Sequence, residues 1–138
     1  MMNPSALKKR FGRSGFTIIE LIIVVAIISI LLAIAIPVYK IHLQHAREAV
    51  LKEDLHNMRE AIDQYTEDKN KAPQSLTDLV DAGYLHGLPK DPFTNSTETW
   101  QPVMDDSATS VDQSQAGITD VKSGSNLTST EGTAYSSW

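Results

Sequence analysis

The sequence contains no cysteine. This excludes disulfide support for a small domain, and it excludes thiol catalysis and cysteine–zinc chemistry. Acid is absent from the first fifteen residues, which nonetheless carry Lys8, Lys9, Arg10 and Arg13. Aromatic residues make up 7% of the 138 residues, against a hydrophobic fraction of 41%. Much of that apolar content lies in one block, Leu21 to Ile36, in which Ser29 is the only polar residue. The remainder is therefore poor in core-forming side chains, so any globular part is small and in need of a partner or an ion to support it. Nothing favours nucleic-acid binding, which calls for a basic face on the folded part, whereas the chain beyond its first fifteen residues is acidic on balance.

The formal net charge of −5 hides an asymmetry: beyond the first fifteen residues, 8 basic residues face 17 acidic ones, a balance of −9. A basic start, an apolar run and an acidic remainder follow the positive-inside pattern, which predicts a cytoplasmic N-terminus and an acidic part that crosses the membrane. In an ordinary secretory signal the apolar region precedes a small-residue cleavage site. Here the order is inverted, since the candidate cut, Gly15–Phe16, comes before the apolar run. Cutting there leaves the oily segment on the product as an anchor.

Phe16 to Tyr39 forms a stretch about 36 Å long as a helix, enough to span a hydrocarbon core of about 30 Å. Pro37 has no N–H for the carbonyl of Ala33, so a kink or local melting is expected there. The helical pattern continues past it without turn residues. From Lys40 to Lys69 the sequence is charged and amphipathic, with Leu51, Leu55, Met58, Ile62 and Tyr65 forming one apolar stripe. Glu48 and Lys52 stand at the i,i+4 spacing of a favourable ion pair. The pattern predicts one helix of about fifty residues, with a membrane half and a half that packs on its own domain.

"KAPQSLTDLVDAGYL" breaks that pattern. Ala72-Pro73 is expected to stop the long helix, and Ser75 with Asp78 reads as a capping box. Leu76, Leu79 and Val80 then form the apolar side of a two-turn helix that Gly83 ends. Pro89 and Pro92 force "LPKDPF" into an extended turn. Short strands are expected over Thr97 to Val103 and Gly117 to Lys122, separated by the polar loop "MDDSATSVDQSQA".

"SGFTIIELIIVVAIISILLAIAIPVY" resembles the class III signal of type IV pilin-like proteins. That resemblance implies cleavage by a prepilin peptidase between Gly15 and Phe16, with N-methylation of Phe16. It also implies assembly roles for Glu20 and Pro37. "APQSLTDLVDAGYLHGLPKDPF" is similar to the module of the major pseudopilin subfamily of type II secretion (general secretion pathway protein G). The matching positions are Pro73, Gly83, Tyr84, Leu88, Pro89, Asp91, Pro92 and Phe93. The absence of cysteine agrees, since many true type IV pilins close a C-terminal loop with a disulfide.

An ionised side chain in hydrocarbon costs roughly 2.5 kcal/mol or more, so Glu20 calls for a partner. The resemblance supplies one: the α-amine created at Phe16, on a neighbouring subunit. An acid left unpaired in each subunit is a reason to assemble, and its place near the positive end of the helix dipole assists it. The bland alternative is an acid that snorkels to the headgroups. The resemblance further implies a calcium ion in the C-terminal loop. Asp120, Asn126 and Glu131 are the candidate ligands, although the same oxygens also suit a solvated loop.

Other signals carry less. His42 and His45 with Glu48 could be drawn as a zinc site, but such residues more often line a wet helical face. The sequons at Asn95 and Asn126 read as polar turns. Asp105 and Asp106 are adjacent loop acids without a nucleophile or pocket signal, and no catalytic constellation is present.

The expected fold is α+β. A long N-terminal helix, hydrophobic then amphipathic, packs on a small C-terminal antiparallel sheet with loops. The expected divisions are a leader over 1–15, a membrane and filament-core helix over 16–39, its amphipathic continuation over 40–70, and a small globular region over 71–138. The resemblance implies a non-enzymatic pseudopilin that starts in the inner membrane among lipid and polymerises with its own copies into a periplasmic filament. It implies further partners in the prepilin peptidase, an assembly platform with its ATPase, and minor pseudopilins. A type IV pilin of a surface filament, for adhesion, motility or DNA uptake, is the alternative.

Overall fold

The computed structural model describes residue 12 and residues 14–105 and 116–138. Most of the expected leader, and most of the polar loop including Asp106, lie outside the described residues. A single helix, α1 (Ile18–Lys69, 52 residues), carries the apolar run and the amphipathic stretch without interruption. Pro37 sits inside it, and helical backbone continues on both sides. Proline removes one hydrogen bond from the ladder, and here that loss does not end the helix. The expected stop at Ala72-Pro73 comes early. The helix ends at Lys69, where Asn70 takes a left-handed backbone with φ of 53°. Asparagine tolerates that conformation better than most residues, so it closes the helix before the proline is reached.

The chain divides between Tyr39 and Lys40 into two compact units. In the first, the large apolar side chains of α1 from Ile18 to Tyr39 all face outward. Among the described residues, α1 is the one helix long and apolar enough to cross a membrane, by length and composition.

In the second unit the predicted stripe is the core. Leu51, Leu55, Met58 and Ile62 are at most 2% exposed, and Tyr65 packs at the margin. Burying side chains of this kind stabilises a fold by roughly 1.5–3 kcal/mol each. Opposite them stand Leu79 of α2 (Leu76–Asp81), Trp100, Ile118, Val121 and Tyr135. The capping box of α2 forms as expected: the Ser75 hydroxyl accepts from the Asp78 N–H, and the Asp78 carboxylate accepts from the Ser75 N–H at 2.9 Å. Gly83 follows with φ of 84°, a left-handed position that favours glycine.

Two antiparallel strands complete the unit, β1 (Gln101–Asp105) and β2 (Gly117–Lys122), with a register shift between Val103 and Met104. The second strand lies over the residues expected for it, and the first begins four residues later than Thr97. Residues 94–99 are engaged elsewhere. Asp91 is fully buried, accepts from the Phe93 N–H at 2.8 Å, and its own N–H donates to the Ser96 carbonyl. Thr94 and Thr99 join their hydroxyls, and the Trp100 indole donates to the Pro89 carbonyl at 2.7 Å. "LPKDPF" is therefore the start of a closed loop built around a buried carboxylate. Gly124 packs on that loop so closely that a Cβ would stand 2.0 Å from the Thr99 carbonyl oxygen, which only glycine permits.

Candidate assembly segment and the anchored C-terminal tail

Residues 14–17 are not helical, so Gly15 and Phe16 lie on backbone outside α1. Phe16 is 85% exposed. Thr17 starts the helix: its hydroxyl accepts from the Glu20 N–H at 3.2 Å and its carbonyl from the Leu21 N–H at 3.1 Å. The spacing Thr17-x-x-Glu20 is that of a capping box, a signal in the sequence that the apolar run overshadows. Glu20 occupies the first turn, where the helix dipole favours an anion. Among the described residues no cation pairs with it. Farther along, the Ser29 hydroxyl donates to the Val25 carbonyl at 2.7 Å. That internal bond makes the one polar residue of the run tolerable in hydrocarbon.

The second cluster joins α1 to the C-terminal tail. Glu48 is buried, and its carboxylate is not paired with Lys52. It accepts instead from the Thr130 N–H, the Thr130 hydroxyl and the Tyr135 hydroxyl, each at 2.7 Å. Gln44 reaches the same group from the turn above, donating to the Tyr135 hydroxyl at 3.0 Å and to the Thr128 carbonyl at 3.2 Å. Burial alone would raise the Glu48 pKa. The Thr130 amide and hydroxyl and the Tyr135 hydroxyl, with His45 nearby, outweigh it and hold the carboxyl below its usual range. His45 Nδ1 lies 3.6 Å from Glu48, and His42 is exposed, so the three form no zinc centre.

Lys52 points to Glu131 at 3.8 Å and lies 4.7 Å from the centre of the Trp138 ring. Arg59 binds three oxygens: Asp120 Oδ1 at 2.6 Å, and the main-chain oxygens of Val121 and Trp138 at 3.0 Å each. Phe93 stacks on Tyr135 with ring centres 3.8 Å apart, and Trp138 meets Tyr135 edge-on at 5.1 Å. Sequence reasoning missed Arg59 altogether. Its only local signal is that Glu48, Lys52 and Arg59 share the flank of the buried stripe.

The residues expected to ligate calcium do not come together. Asp120 is bound to Arg59 and Glu131 to Lys52, two helix positions separated by about 10 Å along the axis. Asn126 is exposed. Among the described residues no group of three or more acid or histidine side chains could hold a metal. As a set, Asp120, Asn126 and Glu131 do not fit a calcium site.

The family model described as "Prokaryotic N-terminal methylation motif" matches residues 10–36, the segment with Gly15, Phe16 and Glu20. The type II secretion system core protein G of Pseudomonas aeruginosa is 33% identical over 110 residues, covering 68% of this chain and 78% of the relative. The chain belongs to the type IV pilin-like family. The core protein G of Aeromonas hydrophila is 29% identical over 106 residues, covering 65% of this pilin-like chain and 74% of the relative. The type IV major fimbrial protein FimA of Dichelobacter nodosus is 36% identical over 107 residues, but that match spans 60% of the fimbrial protein. No solved structure matches the chain. Members of this family are structural pilin and pseudopilin subunits, and membership implies prepilin peptidase processing and filament assembly.

Proposed function

We propose that this pilin-like chain is the major pseudopilin of a type II secretion system, a structural subunit without catalytic activity. The observation that carries this reading is the loop around buried Asp91, the "LPKDPF" module, in a chain whose match covers 78% of a secretion core protein. The subunit enters the inner membrane with its basic N-terminus in the cytoplasm. A prepilin peptidase cuts between Gly15 and Phe16 and methylates Phe16. Glu20 of one subunit then pairs with the Phe16 amine of the next, so a charge that is costly in lipid becomes a reason to leave it. The exposed apolar side chains from Ile18 to Tyr39 exchange lipid for one another in the filament core. Pro37, already short of one hydrogen bond, is where the helix yields during packing. An ATPase-driven platform adds subunits, minor pseudopilins join, and the periplasmic filament pushes folded proteins through the outer membrane.

A surface type IV pilin is the second reading, favoured by the 36% identity to a fimbrial protein. Deleting the gene and comparing the culture supernatant with that of the complemented strain separates the two. Exported proteins trapped in the periplasm support the secretion subunit. An unchanged supernatant with surface fibres missing replaces it with the pilin.

A further inference from the structure

We propose that the guanidinium of Arg59 is the built-in cation of this fold, fastening the C-terminal segment to α1 in a way that takes no calcium. The oxygens gathered on Arg59 are of the kinds a hard divalent cation collects: one side-chain carboxylate, Asp120 Oδ1, and two main-chain oxygens, those of Val121 and Trp138. A guanidinium satisfies such a set without a metal, because it is always charged and offers five N–H donors in a planar fork. Nε serves the Asp120 carboxylate, and a single terminal nitrogen serves both main-chain oxygens.

The rest of the tail leaves little for an added ion. Calcium takes six to eight oxygens, among them carboxylates. Of the two side-chain carboxylates in the described tail, Asp120 is held by Arg59 at 2.6 Å and Glu131 faces Lys52 at 3.8 Å, each toward the positive side chain of an α1 residue. The α1 carboxylate that faces the tail, Glu48, already accepts from the Thr130 N–H and from the hydroxyls of Thr130 and Tyr135. A divalent cation would have to displace Arg59 or Lys52, or sit beside them against like charge. The Val121 N–H also donates to Asp120 Oδ1 at 2.7 Å, which fixes the carboxylate toward the guanidinium. Arg59 thus ties the end of β2 and the last residue to one point on the helix.

The test uses the full chain in detergent micelles, with unfolding followed by the fluorescence of Trp100 and Trp138. Wild type is melted with excess EGTA and again with millimolar calcium chloride, beside Arg59→Gln, Arg59→Lys and Asp120→Asn. The proposal expects one wild-type midpoint in both media. It expects a lower midpoint for Arg59→Gln, partial recovery with Arg59→Lys, and faster proteolysis of the tail in both. Asp120→Asn is the milder change should Arg59→Gln not fold, and it too should melt earlier, equally in both media. A wild-type midpoint that falls with EGTA or rises with calcium overturns the proposal. So does an Arg59→Gln or Asp120→Asn variant that melts like wild type. None of these outcomes depends on which filament the subunit builds.

Discussion

Glu48 and Thr130 lie 82 residues apart in the chain, yet the carboxylate of one takes both the N–H and the hydroxyl of the other at 2.7 Å. This contact couples tail docking to protonation. The Glu48 carboxyl titrates below the unfolded reference of 4.5, so its stabilisation is complete above that pH and is lost as pH falls through the lower native value. Asp78 acts in the same sense from a reference of 3.8. Burial alone would raise it too, but the Ser75 amide and hydroxyl and the Gln74 amide hold it down. Urea unfolding at a series of pH values should show stability falling on acidification from about pH 4.5 downward. Glu48→Gln should cost about 1–3 kcal/mol at neutral pH and flatten that acid limb.

Asp54 is shifted the other way. Burial, then the neighbouring charges of Glu53 and Asp91, raise its pKa above 3.8. Its ionisation therefore opposes the fold as pH rises through the raised value. Asp54→Asn should stabilise the protein at neutral pH, by less than about 1 kcal/mol given its partial exposure. Melting wild type and variant at neutral and acidic pH checks this, and the gain should vanish in acid.

Gly124→Ala places a methyl group where the Thr99 carbonyl already stands, at 2.0 Å. The loop around Asp91 must shift, at a cost of about 2–3 kcal/mol. Gly87→Ala is the control, since nothing lies within 4 Å of the added carbon. A pair of thermal melts should show a clear drop for the first variant and almost none for the second.

At the other end of the chain, Gly15→Leu should block processing, read as unprocessed mass by spectrometry of the membrane fraction. Glu20→Ala should leave processing intact and reduce filament yield at least tenfold. Normal filaments from Glu20→Ala would remove the proposed pairing with the Phe16 amine.

What could be read directly from the sequence was local and periodic. The stripe of Leu51, Leu55, Met58 and Ile62 follows from helical spacing, and the Ser75–Asp78 cap from a four-residue pattern. Strand β2 occupies the expected Gly117–Lys122. What stayed hidden depends on partners far away in the chain. Glu48 and Lys52 have the spacing of a surface ion pair, but a docked tail offers each a better partner across more than seventy residues. Arg59 has no motif around it, and only the folded tail brings three oxygens to it. The end of α1 at Asn70, before Pro73, was not legible because a single left-handed residue leaves no periodic trace.

The non-helical stretch ahead of α1 has a bearing on processing. Proteases act on chain that is free of regular structure, and residues 14–17 are in that state while α1 begins at Ile18. Hydrolysis between Gly15 and Phe16 breaks no hydrogen bond of α1, because the first of them is made by Thr17. The subunit can lose its basic leader without unwinding a single turn. The freed end then has one short residue of slack, Phe16, before a helix whose start is already fastened.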